Sequence, residues 1–144
     1  MVKFLIKYVI NGVFMRRTEI IELLKKYKFD TKNYIVISGA AMVIANVKDQ
    51  TNDIDIAVSK EYYNYLLNNY NCEFDCVNIY NNKVFFIDNI INFSYDYFDC
   101  KYTVIDGIKV QTLYSIKQLK KNLNREKDIE DIKLIDEKIK YRKL

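Results

Sequence analysis

The chain has 144 residues, half of them apolar and 15% aromatic, with 23 basic against 19 acidic side chains for a net charge of +4. That is enough chain for one domain (1–144) with its own core, and too apolar for a disordered segment; the charge permits a phosphate-rich partner but does not demand one. With no histidine and three cysteines, a mixed His/Cys zinc site is excluded, and Cys72, Cys76 and Cys100 read as ordinary reduced, buried residues.

In chain order, the opening MVKFLIKYVI is apolar but interrupted by Lys3 and Lys7. It reads as a strand or short helix, too short to span a bilayer and without a cleavage-like small-residue site. No other run approaches the ~20 apolar residues of a membrane span, so the expectation is a soluble, cytoplasmic protein. Thr18 to Phe29 has the spacing of an amphipathic helix, with Ile20, Ile21, Leu23, Leu24 and Tyr27 on one face. A turn at 30–33 precedes a short buried strand, YIVIS (34–38), that ends at Gly39. AAMVIAN (40–46) follows as a helix, then a loop, a second strand DIDIAVS (53–59) and a helix at 60–70.

The next region is rich in β-branched and aromatic residues. Strands are expected at 72–80, 83–88 and 90–98, with Asn81-Asn82 as a hairpin turn, and one or two more around Gly107 within 102–111. Helices at 112–123 and 126–141 close the chain, the last with Ile129, Ile132, Ile135 and Ile139 on one face. The order predicts an α+β (α/β-like) fold, a mixed sheet flanked by helices with a helical C-terminus.

Chemistry concentrates in SGAAMVIANVKDQTNDIDIAVS, 38–59. In a strand, residues i and i+2 share a face roughly 6.6 Å apart, so Asp53 and Asp55 project together while Ile54 and Ile56 face the core. Two neighbouring carboxylates repel unless a cation lies between them, and Mg²⁺ commonly takes one or two protein carboxylates together with phosphate oxygens. The blander reading is a solvated strand face. Gly39, where a buried strand gives way to a helix, would let backbone approach a phosphate at the helix start, or would only ease a tight turn. In the last helices Lys121, Arg125 and Asp128 fall three or four apart on one face. They suit either triphosphate binding or a solvated surface with ion pairs such as Lys127 with Asp131.

Taken together, Gly39 followed by the Asp53-x-Asp55 strand resembles the signature of the nucleotidyltransferase superfamily, the DNA-polymerase-β-like fold. LKKNLNREKDIEDIKLI resembles the Lys-x3-Arg-x-Lys-Asp-x2-Asp helix of AbiEii-type and related minimal members, with Lys121, Arg125, Lys127, Asp128 and Asp131 in register. The resemblance covers about residues 34–136. It implies a nucleotidyltransferase fold and transfer of a nucleoside monophosphate from an NTP to an acceptor hydroxyl of RNA, protein or a small molecule, with Mg²⁺ or Mn²⁺ as cofactor. Asp53 and Asp55 would hold the metal. Gly39, Ala40, Lys121, Arg125, Lys127 and Asp128 would serve the nucleotide.

Two positions depart from that pattern. Ala40 stands where a Gly or Ser usually follows the glycine, leaving only backbone to touch phosphate. Asn92 stands where a third catalytic carboxylate is expected, and an amide can orient a hydroxyl but is a poor base. Asp96, on the same face by strand alternation, is the candidate replacement, with Asp88 behind it. If neither reaches the site, the alternative is a catalytically impaired module that binds nucleotide, RNA or a partner protein, of a toxin–antitoxin or phage-defence type.

Overall fold

A computed structural model describes residues 14–142. The elements are α1 (Arg17–Tyr27), β1 (Tyr34–Ile37), α2 (Ser38–Ile44), β2 (Ile54–Val58), α3 (Lys60–Asn69), β3 (Cys72–Val77), β4 (Lys83–Ile87), β5 (Ile91–Ser94), β6 (Tyr102–Ile105), β7 (Ile108–Gln111), α4 (Leu113–Leu123) and α5 (Glu126–Arg142). The seven strands form one mixed sheet in the order β3-β4-β5-β2-β1-β7-β6. The pairs β2–β5 and β1–β7 are parallel, and the remaining neighbours are antiparallel. The fold is therefore α+β with a mixed sheet and a helical C-terminus. Among the described residues no helix is long and apolar enough to cross a membrane.

Alternation along the central strands decides what each face meets. Tyr34, Val36, Ile54, Ile56, Val58, Ile91 and Phe93 point into the main core with the apolar faces of α1, α2 and α3. Ile20, Leu23 and Met42 from the helices are completely buried there. The opposite face is thinly covered. Ile35, Ile37 and Ala57 pack there against Tyr97, Phe98 and Cys100. Asp55 and Asn92, one residue out of phase with the core positions, fall on this second face.

Helix starts follow side-chain chemistry. The Ser59 hydroxyl accepts from the Tyr62 amide at 3.2 Å to cap α3, and Thr112 accepts from Ser115 at 3.2 Å to cap α4. Glu19 reaches back to the Arg16 amide at 3.1 Å at the start of α1. The β6–β7 hairpin turns through Asp106 and Gly107, both with positive φ, 51° and 78°.

The structure corrects the sequence reading in several places. The first helix after β1 begins at Ser38 rather than at residue 40, and the left-handed backbone of the turn falls on Ser38 (φ 57°), not Gly39. The strand expected over 90–98 ends at Ser94, after which the chain turns across the open face. The isoleucine stripe of the last helix is only partly a packing face. Ile135 is fully buried, but Ile129 is 51% exposed, and the buried positions beside Ile135 are Asp128 and Asp131. Cys76 is exposed and Cys72 and Cys100 are only partly buried, rather than buried as expected, and all three cysteines are free. The expected element at 1–11 lies outside the described residues.

Candidate functional site

The site is assembled across the open face of the sheet. In register, Asp55 on β2 stands opposite Ile37 on β1 and Asn92 on β5, and Asn92 stands opposite Phe86 on β4. A cleft of about 330 Å³ opens above this row; Ser38, Asp55, Asp75, Asn92 and Arg125 line it with the apolar Val77, Tyr97, Leu119 and Leu123. Asp53 sits one residue before β2, half-buried. The Thr51 hydroxyl donates to the Asp53 carbonyl at 3.2 Å. Paired backbone bonds between Thr51 and Met15 fix that loop against the start of α1.

The two carboxylates affect each other. Burial, then the neighbouring Asp53, pushes Asp55 up to about 7, against the opposing pull of Lys120 and Lys127. Burial raises Asp53 as well, partly offset by Lys127. The fold thus holds two acids where their charged forms are disfavoured, an arrangement that a divalent cation would relieve. A second observation points the same way. The Asn92 Oδ1 is buried and has no hydrogen-bond partner, although a buried carbonyl oxygen normally has one. Among the described residues no three His, Cys, Asp or Glu side chains gather as a ready-made metal cage. What the strands offer is two carboxylates and an amide oxygen, a hard-oxygen set suited to Mg²⁺ or Mn²⁺.

The cationic side comes from α4 and α5. Lys120 is buried and bonds Asp128 at 3.4 Å and Asp131 at 2.9 Å. Arg125 forks onto both oxygens of Asp128, at 2.8 and 3.1 Å, and Lys48, from the loop after α2, reaches Asp131 at 3.2 Å. Burial disfavours the Asp128 charge, but the Arg125 hydrogen bonds and the Lys120 charge overcome it and lower Asp128 to about 2. Arg125 also lines the cleft, and Lys127 lies near enough to Asp53 and Asp55 to favour their charged forms.

Several expected site residues sit elsewhere. Lys121 is exposed, and its neighbour Lys120 holds the inward position. Ala40 packs its side chain in the main core. A Cβ on Gly39 would meet only the Thr51 hydroxyl at 3.5 Å, so the strand–helix turn does not demand glycine there. The Ser38 amide is taken by Gln111 Oε1 at 3.0 Å. Asp96 is held by the side-chain amides of Asn78 and Asn82, and Asp88 accepts from the Tyr27 hydroxyl on the helix-covered side. Neither lines the cleft. The acid that does line it beside Asn92 is Asp75, which accepts from Asn92 Nδ2 at 3.1 Å.

Sequence reasoning missed Asp75, Lys120 and Ser38. Lys120 was within reach: Ile116, Leu119, Lys120 and Leu123 have i, i+3, i+4, i+7 spacing, which puts that lysine on the buried stripe of α4. Asp75 had no such signal, because its approach to Asn92 depends on the order β3-β4-β5, which no local pattern gives. No family model, no curated protein and no solved structure matches the chain.

Proposed function

We propose that the protein is a nucleotidyltransferase-like domain whose cleft holds a nucleoside triphosphate through one divalent cation, Mg²⁺ or Mn²⁺, and transfers the nucleoside monophosphate to an acceptor hydroxyl. The observation that carries this reading is the Asp53–Asp55 pair beside the unpartnered Asn92 oxygen, at the edge of a cleft that Arg125 also lines. The resemblance of the Gly39 and Asp53-x-Asp55 segment to that superfamily agrees with it.

In the reaction, an acceptor oxygen bonds to the α-phosphorus as the bond to the β-phosphate oxygen breaks. Pyrophosphate leaves with that electron pair, and the hydroxyl proton passes to solvent. A bound cation supplies Lewis-acid polarisation of the phosphate oxygens. Asp53 and Asp55 would hold it. Arg125 and Lys127 place positive charge at the edge of the site, where triphosphate charge accumulates. Asn92, an amide, cannot remove the acceptor proton at neutral pH.

That last point favours a second reading, a module that binds nucleotide without transferring it, with RNA or a partner protein as its target. Asp96, engaged by Asn78 and Asn82, does not supply the missing base.

The test is thermal. With ATP at about a hundred times its Kd the native state gains about 2.7 kcal/mol, several degrees in Tm for a domain of this size. The shift appears with Mg²⁺ and vanishes without it, and Asp53→Asn combined with Asp55→Asn removes it. A shift that survives the double substitution places the nucleotide elsewhere. Labelled NTP incubated with RNA or protein acceptors then separates transfer from binding alone.

A further inference from the structure

We propose that Asp75 is the positioning residue of this cleft: it fixes the Asn92 side-chain amide so that its oxygen is presented beside Asp55 as a neutral third ligand for the divalent cation. The inference rests on the metal–nucleotide reading above and assigns a role to a residue outside the Asp53-x-Asp55 pattern.

The geometry leaves the amide one orientation. A carboxylate can only accept, so the Asn92 nitrogen must face Asp75, at 3.1 Å. Turning the amide over would set its oxygen against the Asp75 carboxylate, acceptor against acceptor. The oxygen is therefore held away from Asp75, in a buried position where it has no hydrogen-bond partner. Asp55 and Asn92 are register partners on adjacent parallel strands, roughly 4.8 Å apart, with both side chains on the open face. The amide oxygen is thus the unpartnered acceptor on the face that carries Asp55.

Asp75 also sits at a backbone irregularity. Glu73 pairs with Phe86 and Phe74 with Phe85, but the next pair is Cys76 with Val84, so Asp75 is the unpaired residue of a bulge. Alternation from Glu73, whose partner Phe86 pairs with Asn92, puts Asp75 on the open face, and the bulge leaves it without a partner on β4. The device also sets the charge of the site. An aspartate at 92 would crowd a fourth acid against Asp53, Asp55 and Asp75. The amide keeps the ligand set at two charges, which one dication balances.

The experiment measures Mn²⁺ binding to the full chain by loss of the free-ion EPR signal, with melting temperature in EDTA as the folding control. Removing the acceptor with Asp75→Ala weakens Mn²⁺ binding by ~10- to 100-fold, the usual effect of losing a group that orients a metal ligand. The isosteric Asp75→Asn keeps an accepting oxygen toward Asn92 and stays close to wild type. Asp55→Asn abolishes binding. If Asp75→Ala binds Mn²⁺ as well as wild type while Asp55→Asn does not, the positioning role is wrong and the metal site stands. If Asp75→Asn is as defective as Asp75→Ala, Asp75 acts through its charge and the inference is overturned. If Asp55→Asn leaves binding unchanged, the metal reading fails and this inference fails with it.

Discussion

Asp55 shows how a single side chain can oppose the stability of the fold that carries it. Its folded pKa, about 7, lies well above the 3.8 of an unperturbed aspartate, first because it is buried and then because Asp53 is beside it. A raised carboxylate pKa means that the folded state holds the proton more tightly than the unfolded chain does. The stabilisation is complete below about pH 4 and is lost as pH rises through about 7. The metal-free protein should therefore melt at lower temperature at pH 8 than at pH 5 through this group. Asp55→Asn should match wild type at or below about pH 4 and exceed it at pH 8 in EDTA, by a few kcal/mol at most, as read from urea unfolding. Equal pH slopes for the two proteins would show that the Asp55 charge is not disfavoured. The shared face of Asp53 and Asp55 could be read from alternation alone; the place of Asn92 beside them was expected only from the resemblance. The contact of Asp75 with Asn92 could not be read this way, since it spans β3 to β5 across β4.

At the scale of elements, the informative pair is α4 and α5. Their shared surface contains an ion cluster, Lys120 with Asp128 and Asp131, joined by Arg125 and Lys48, and a second link from Lys117 to Asp136 at 2.5 Å. A buried pair contributes little relative to a well-packed apolar substitute, but removing one partner leaves uncompensated charge. Lys120→Met should cost about 3–5 kcal/mol, because Asp128 and Asp131 remain buried. Lys121→Met, on the exposed side, should change stability by no more than about 0.5 kcal/mol. Chemical denaturation of the two variants checks the contrast, and equal effects would mean that the cluster does not depend on Lys120. Helical periodicity located both helices within a residue or two. It placed the buried face of α5 on the isoleucines, whereas Ile129 is exposed and two aspartates take the inner positions. Apolar spacing carries no information about a charged face that is satisfied from a neighbouring helix.

For the whole molecule, the sheet has a stable middle and two weaker margins. Ile35, Val36, Ile54, Ile56, Ile91 and Phe93 on β1, β2 and β5 are almost entirely buried, whereas Phe74 and Val77 on β3 and Tyr102 and Val104 on β6 are about half exposed or more. Hydrogen exchange should be slowest in β1, β2 and β5 and fastest in the edge strands β3 and β6. Protection as strong in β3 as in β2 would contradict this ordering. The α+β class and the strand–helix order of the first half were legible because buried strands and amphipathic helices have distinct periods. The strand order was not, since β5 pairs with β2, and β7 with β1, across long stretches of chain.

The salt bridge from Lys48 to Asp131 has a consequence for when the cleft comes into being. A growing polypeptide that has emerged only through α4 carries Asp53, Asp55, Lys48 and Lys120 without Arg125, Lys127 and the acids of α5. Long-range closure of this kind is slow relative to local helix formation. The cleft is therefore completed late, when α5 docks against α4 and the loop that carries Lys48.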